Sequence, residues 1–328
     1  MRTSVERFSD KLSRVGSSVE PSKTLAVTAL AKRLKAEGRD IISLTAGEPD
    51  FKTPEVVGDA GIAAIREGAT RYTAAAGEPG LRERIASLYA ERWGVELSAG
   101  NVCVSSGAKP LRDYLKSLLV EPGDEVLFPV PFWVSYEAMV KMRSGVARPV
   151  TTDFEKGHKL DAQALRDACT DRSKVLLLNN PTNPTGAVYS RDELLAIAEV
   201  VREKDLILIA DEIYEDLVYD GKHHQTLYNL NDWMPERTVV VSGVSKSFAM
   251  TGWRIGYAIG DAGLIKALAS YQSQALSSPC QISQRAALVA LKEGWETVGL
   301  MRKAFAERLE YFRGRMKSLR LPYVQPQG

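Results

Sequence analysis

Val239-Val240-Val241-Ser242-Gly243-Val244-Ser245-Lys246 ends a short apolar run in a Ser-Gly pair and a lysine, and Arg254 follows eight residues later. Small and hydroxyl residues surround Lys246, whereas most lysines lie on solvated, charge-rich surfaces. If Thr238 to Val241 forms a buried strand, Lys246 lies just past its carboxyl end. In open α/β sheets that is where ligands bind. A lysine there loses part of its hydration and becomes an amine nucleophile, and Arg254, Ser242 and Ser245 are placed to hold a phosphate. Taken alone, the stretch fits a surface lysine after a strand equally well.

The chain around it decides the architecture. Apolar runs recur at Val102–Val104, Val126–Phe128, Val146–Val150, Val175–Leu178, Leu206–Ala210, Val239–Val241 and Ile255–Ile259. Helix-length segments separate most of them: Leu111–Val120, Ser135–Met142, Leu160–Cys169 and Arg191–Lys204. This alternation predicts a three-layer α/β/α domain with a mainly parallel, seven-stranded sheet covered on both faces. Ile255–Ile259 follows the lysine loop too closely for a crossover, so that strand is expected to run antiparallel. Ahead of the sheet, helices are expected at Leu25–Glu37, from Thr53 (N-cap, with Pro54 first) to Glu67, and at Leu81–Trp93, with a short strand at Ile41–Leu44. After Asp261 the pattern is helical: Gly263–Leu276, Ile282–Lys292 and Trp295–Leu319. Residues 1–18 are polar and predict a short helix or arm. Leu321–Gly328 resembles the beginning of a strand, and further sequence is expected beyond it.

Composition narrows the function. The 328 residues are 45% hydrophobic and 26% charged, an ordinary globular balance. A net charge of +2 gives no basic field for nucleic acid. Cys103, Cys169 and Cys280 are widely spaced, which fits a reducing compartment, and His158, His223 and His224 show no metal-ligand spacing, so no metal is expected. No apolar run reaches membrane-spanning length and no signal-peptide core opens the chain, so a cytoplasmic protein is expected.

Three successive strands deliver polar residues at their carboxyl ends. Leu176-Leu177-Leu178 leads into Asn179-Asn180-Pro181-Thr182-Asn183-Pro184-Thr185-Gly186, Ile207-Leu208-Ile209-Ala210 into Asp211-Glu212-Ile213-Tyr214, and Val239–Val241 into Lys246. A parallel sheet brings such ends to one edge, where Asn183, Asp211, Tyr214 and Lys246 converge. The set suits pyridoxal phosphate. An aspartate keeps a pyridine nitrogen protonated, a tyrosine and an asparagine donate to a phenolate oxygen, and a lysine binds a carbonyl carbon and moves protons. Singly, each also has a structural reading: Asp211 as a cap, Tyr214 as core, the Asn-Pro pairs as turn formers. Ser105-Ser106-Gly107-Ala108-Lys109-Pro110 follows the first strand and opens a helix, whose free N–H groups suit a phosphate. Trp133 follows the next strand. It is placed to stack on a flat ring, although alone it reads as core packing.

These motifs resemble the class I, fold-type-I pyridoxal-phosphate aminotransferases. The resemblance is carried by Asn179–Gly186, by Ala210-Asp211-Glu212-Ile213-Tyr214 and by Ser245–Tyr257. Thr45-Ala46-Gly47-Glu48-Pro49-Asp50 and Pro131–Tyr136 are similar to the bacterial aspartate aminotransferases, some of which use prephenate. The resemblance implies that Lys246 holds the cofactor covalently, that Asp211 pairs with the pyridine nitrogen, and that Tyr214 and Asn183 reach the phenolate oxygen. Trp133 would stack on the ring. Gly107, Ala108, Ser245 and Arg254 would line the phosphate site, and Tyr72 would reach the phosphate of a second subunit, which implies a homodimer. By itself Tyr72 reads as a loop tyrosine.

The substrates implied are an amino acid and a 2-oxo acid. Gly47 would meet the substrate carboxylate through its backbone, beside Trp133 and Asn183. Lys109 would bind the distal carboxylate of an acidic substrate with help from Ser22 and Thr24; its other reading is a solvated lysine, mildly unfavourable at a helix start. The expected reaction is a ping-pong transfer of the amino group of aspartate, or a related acidic amino acid, to 2-oxoglutarate or a similar oxo acid. Other specificities (prephenate, aromatic or apolar amino acids), a β- or γ-eliminating lyase, a cofactor-binding regulator and an inactive fragment are the alternatives. Expected domains are an arm and part of a small domain over residues 1–47, a large cofactor-binding domain over 48–293, and the start of the incomplete small α/β domain over 294–328. Pro110 and Arg112 depart from the family's glutamine and apolar pattern. The arginine that clamps the substrate α-carboxylate has no counterpart here, so the 328-residue chain by itself is expected to transaminate very weakly.

Overall fold

In the computed structural model, residues 11–44 and 47–328 are described. The short helix α1 (Arg14–Ser18) and then α2 (Lys23–Ala36), α3 (Glu55–Arg66) and α4 (Pro79–Trp93) precede the sheet. From there strands and helices alternate: β1 (Val102–Ser105), α5 (Ala108–Leu119), β2 (Glu125–Pro129), α6 (Ser135–Met142), β3 (Val146–Val150), α7 (Ala162–Ala168), β4 (Ser173–Asn179), α8 (Arg191–Glu203) and β5 (Ile207–Asp211). Then come β6 (Thr238–Gly243), the one-turn α9 (Val244–Ser247) and β7 (Gly256–Ile259), and the chain ends with α10 (Ala262–Ala275), α11 (Gln281–Glu293) and α12 (Trp295–Ser318).

The seven strands form one sheet in the order β1-β7-β6-β5-β4-β2-β3. The pairs β2–β3, β2–β4, β4–β5 and β5–β6 are parallel, while β7 runs antiparallel to both of its neighbours, as its short connection requires. Strand residues alternate between two apolar layers. Leu176, Leu178, Leu208, Ala210 and Val240 face one, with Ile85, Tyr89, Leu194 and Ala286 from α4, α8 and α11. Val175, Leu177, Ile209, Val239 and Val241 face the other, with Leu111, Leu115, Tyr136 and Ile265 from α5, α6 and α10. All these strand residues are fully buried. Each aliphatic side chain removed from water there contributes about 1.5–3 kcal/mol. Side chains cap the starts of three of the helices beside the sheet: Asp161 on α7, Asp261 on α10, and a reciprocal Ser190–Glu193 box on α8.

Three local expectations are corrected. Ile41–Leu44 is not a strand: it runs as irregular chain, with Ile42 and Leu44 86% and 93% exposed. Thr53 does not cap α3. Pro54 holds the cap position, and the Thr53 hydroxyl instead donates to the Ala249 carbonyl (2.9 Å) and accepts from Trp253 Nε1 (3.1 Å). The last residues form no strand, although Gln327 N–H donates to the Gly186 carbonyl (2.6 Å) and the Gln327 carbonyl accepts from Tyr219 N–H (2.8 Å). Part of the expected arm, residues 1–10, lies outside the described residues.

Beneath the sheet, on the α4 side, lies a buried polar cluster that spacing along the sequence does not show. Ligand-capable atoms of Glu212, Glu215 and His224 lie within 4.8 Å of one another. Protein donors already occupy the carboxylates. Glu212 accepts from Thr226 Oγ1 (2.9 Å), Leu227 N–H (3.1 Å) and His224 Nε2 (2.9 Å), and Glu215 from the Tyr89 hydroxyl and Ser242 Oγ (2.7 Å). Burial, with nearby Asp216, pushes Glu215 up from 4.5 to about 7, against the pull of Arg92. The folded chain therefore binds a proton there that the unfolded chain has released, so this group's contribution to stability falls as pH rises from about 4.5 through 7. His224 acts in the same direction: burial opposes its charge, but Glu212 outweighs burial and raises its proton affinity. Glu215→Gln is expected to flatten the slope, gaining on the order of 2–3 kcal/mol relative to the parent between pH 5 and pH 8. Urea unfolding at the two pH values checks it.

Candidate active site

The sheet register builds the site. Ser105 of β1 and Gly243 of β6 both lie opposite Gly256, the first residue of β7. One strand inward, Val241 lies opposite Asp211, which lies opposite Asn179. The carboxyl ends of β1, β6, β5 and β4 thus share one edge with the residues entering β7.

At that edge Gly107 precedes α5 at φ 95°, a backbone angle that favours glycine. A Cβ there would stand 2.5 Å from Arg254 Nη2. Gly256 is confined in the same way: its Cβ would meet Ala108 N at 2.3 Å, so only glycine lets β7 pass beneath the start of α5. The first turn of α5 has no side-chain cap, the Ser105 hydroxyl is buried without a partner, and among the described residues no carboxylate pairs with Arg254. Open N–H groups at a helix start, an orphaned hydroxyl and an unpaired arginine fit a phosphate group. Ala108 and Ser245 are buried beside them.

Lys246 sits in α9, directly after β6. Its Nζ donates to the Gly47 carbonyl (2.5 Å) and lies 5.9 Å from the centre of the Tyr214 ring. Burial lowers its proton affinity; Glu48 opposes this, while Arg254 and Arg112 add to it. Tyr214 accepts from Asn183 Nδ2 (3.2 Å), and Asn183 is held through its own N–H by Asn179 Oδ1 (2.6 Å). Asp211 ends β5 on the α5 side of the sheet. Its carboxylate accepts from Arg112 Nη2 and from the Tyr136 hydroxyl, and its carbonyl accepts from Asn179 Nδ2 (2.7 Å). Burial opposes the Arg112 charge, but the neighbouring carboxylate outweighs it and keeps the guanidinium protonated. Trp133 forms a wall. Lys109 Nζ and the Arg112 guanidinium lie 5.2 and 5.4 Å from its ring centre, and Tyr136 meets it edge-on. Burial, then Arg112 and Arg254, lowers the Lys109 proton affinity.

The structure therefore brings together Gly47, Gly107, Ala108, Lys109, Trp133, Asn183, Asp211, Tyr214, Ser245, Lys246 and Arg254. Ser242 is not among them. Strand alternation turns it to the opposite face, where it donates to Glu215. Tyr72 is 88% exposed. Ser22 caps α2 at the Leu25 N–H, Thr24 lies in the same turn, and no hydrogen bond ties either hydroxyl to Lys109 or Trp133. Thr45 and Ala46 lie outside the described residues. Sequence reasoning missed the grip of Arg112 and Tyr136 on Asp211; no spacing rule links residues so far apart in the chain.

Residues 39–328 match the family model described as aminotransferase class I and II. The chain belongs to this family. These aminotransferases generally depend on pyridoxal phosphate. This aminotransferase is 42% identical to the aspartate aminotransferase of Geobacillus stearothermophilus over 97% of its own length and 81% of the relative's. It is equally 42% identical to the aspartate/prephenate aminotransferase of Thermus thermophilus, over 97% and 82% of the two chains. The structure of the Thermus thermophilus aspartate aminotransferase with maleate superposes with a TM-score of 0.93 at 42% identity, covering 97% of this chain and 83% of that one. The seven-stranded α/β architecture of this aminotransferase is thus that of a fold-type-I enzyme. Among the described residues, no helix is long and apolar enough to cross a membrane.

Proposed function

We propose that this aminotransferase binds pyridoxal 5′-phosphate at the edge formed by β1, β4, β5 and β6, and moves the amino group of aspartate or a related acidic amino acid to a 2-oxo acid such as 2-oxoglutarate. The observation that carries the reading is the desolvated Lys246 amine beside an unpaired phosphate cradle and a buried aspartate. The bound cofactor would supply an electron sink for the substrate carbon. The chain's own residues do the rest. Gly107, Ala108, Ser245 and Arg254 would hold the phosphate, and Asp211 would face the ring nitrogen. Tyr214 and Asn183 would donate to the ring oxygen, and Trp133 would cover one ring face. The Lys246 amine, favoured by its lowered proton affinity, would anchor the cofactor and move the substrate's α-proton.

Lys109 points to an acidic substrate. A cation held against the Trp133 ring, with no acidic partner among the described residues, suits a second carboxylate. The aspartate and aspartate/prephenate aminotransferases among its relatives favour the same donor class. Gly47 lies beside Lys246 and would present its backbone to the substrate. Ser22 and Thr24 would approach only by a shift of α2.

The test is an absorbance titration. The chain with added pyridoxal phosphate should develop a visible band that aspartate bleaches and 2-oxoglutarate restores. Lys109→Ala should need roughly tenfold or more aspartate for the same bleaching, while responding normally to an apolar amino acid. A band untouched by aspartate and bleached by an apolar donor would sink the acidic assignment.

A homodimer fits the surface. Val56, Ile62 and Ile65 on α3 and Leu25, Val27 and Leu30 on α2 are exposed, as is Tyr72, the residue assigned to a second subunit's phosphate. Sedimentation should give twice the chain mass, and a monomer carrying full activity would remove the role of Tyr72. The two chain ends, residues 1–47 and 294–328, are proposed to belong to a small domain beside the large one formed by residues 48–293.

A further inference from the structure

Arg112 stands where the family pattern is apolar, and the structure places its guanidinium on the carboxylate assigned to the ring nitrogen. Both side chains are almost fully buried, Arg112 Nε has no partner, and the second Asp211 oxygen is taken by Tyr136. Asp211 therefore meets any ligand with its charge already shared. We propose that Arg112 is a positioning residue that, by neutralising part of Asp211, makes the ring nitrogen of the bound cofactor hold its proton less tightly than an unshared aspartate would. The inference rests on the reading that Asp211 faces that nitrogen.

The physical reason is charge. A carboxylate favours a nearby proton, and a fixed cation disfavours it. Guanidinium cannot escape by deprotonation, so the opposition persists at every working pH. The other groups do not cancel it. From α6, Tyr136 only donates a hydrogen bond to Asp211, and Tyr214 stays neutral because burial and Asp211 raise it. Lys109 and Lys116 of α5, and Lys246 and Arg254 beyond β6, add positive charge. The further acids acting on these lysines are Asp113, paired with Arg143, and Glu48, bonded to Thr251. Lys116 is fully buried, its Nζ donating to the Arg112 carbonyl (2.9 Å), and burial and Arg112 lower it to about 7. Losing Arg112 also lets Lys116 regain proton affinity, so each comparison is repeated in a Lys116→Met background, where only position 112 changes the charge.

The probe is pyridoxine 5′-phosphate, which carries the ring nitrogen and phosphate but no carbonyl for Lys246. Calorimetric binding to the full chain, in buffers of different ionisation enthalpy, reads both affinity and proton uptake from pH 7.5 to 9.5. Neutral variants Arg112→Gln and Arg112→Leu should take up more protons on binding than the parent. Their affinity should persist to a pH about one to two units higher, a roughly 10- to 100-fold gain at the alkaline end. Arg112→Lys, which keeps the charge, should follow the parent. Asp211→Asn should abolish the difference. Should one neutral variant not fold, the other carries the same arm. Identical pH profiles in the parent and a neutral variant overturn the inference while leaving the site in place. So does a shift in Arg112→Lys equal to that in the neutral variants, because shape rather than charge would then be responsible. Probe binding to neither the parent nor any variant overturns the site assignment and this inference together.

Discussion

Replacing Lys246 by alanine is expected to lower transamination of aspartate by a factor of roughly 10⁴ or more at saturating pyridoxal phosphate. The loss combines two roles. The amine that anchors the cofactor disappears, and so does the base that moves the substrate's α-proton. Neither has a substitute nearby. Lys109 lies on the Trp133 wall and Lys116 is sealed beneath α5 against Met139 and the Arg112 carbonyl. Lys246→Arg separates charge from chemistry: it restores a cation but not a titratable amine, so it should be as inactive as the alanine variant. The single-turnover rate at which aspartate bleaches the bound cofactor, readable even where steady-state turnover is weak, is the measurement. Alanine-variant turnover within about tenfold of the parent would show that another group does the work.

Asp211→Ala is expected to cost about 3–5 kcal/mol of folding stability in the absence of cofactor, in addition to weakening cofactor binding. The reason is Arg112. Its guanidinium is buried, its Nε already lacks a partner, and its one carboxylate contact is Asp211. Removing that carboxylate strands a charge that cannot deprotonate, and leaves the buried Tyr136 hydroxyl without its acceptor. The double variant Asp211→Ala/Arg112→Leu removes both charges and should recover most of the loss, giving a coupling energy of about 2 kcal/mol or more in a double-mutant cycle. Urea unfolding of the four proteins decides it. If Asp211→Ala alone is within about 1 kcal/mol of the parent, the pair contributes little to the fold.

Much of this aminotransferase is legible along the chain. The runs at Val175–Leu178, Leu206–Ala210 and Val239–Val241 read as buried parallel strands because both faces of each strand are covered, so apolar residues run without interruption. The short link after Lys246 announces the reversal of β7. Strand ends carrying Asn183, Asp211 and Lys246 converge because parallel strands put like ends at one edge. Local signals were less dependable. Ile41–Leu44 has strand composition but runs as exposed, irregular chain, and Thr53 has a cap-forming hydroxyl that Ala249 and Trp253 claim instead. Ser242 stands in sequence among the residues proposed to hold the phosphate, yet the two-residue period of β6 turns it to the far face, onto Glu215.

By itself, then, the sequence determined most of the elements, a mainly parallel sheet with β7 reversed, and a set of candidate residues for the sheet's edge from which Ser242 drops out, because hydrophobic period and connection length are local properties of the chain. Only the tertiary structure decided which charges meet. Arg112 reaches Asp211 across 99 positions of sequence, and Glu215 gathers Tyr89 and Arg92 from α4 and Ser242 from β6. Such pairings depend on which face of a strand or helix a side chain occupies and on how closely two elements pack. In a buried setting of low effective dielectric they fix protonation, and with it the chemistry that the edge of the sheet can perform.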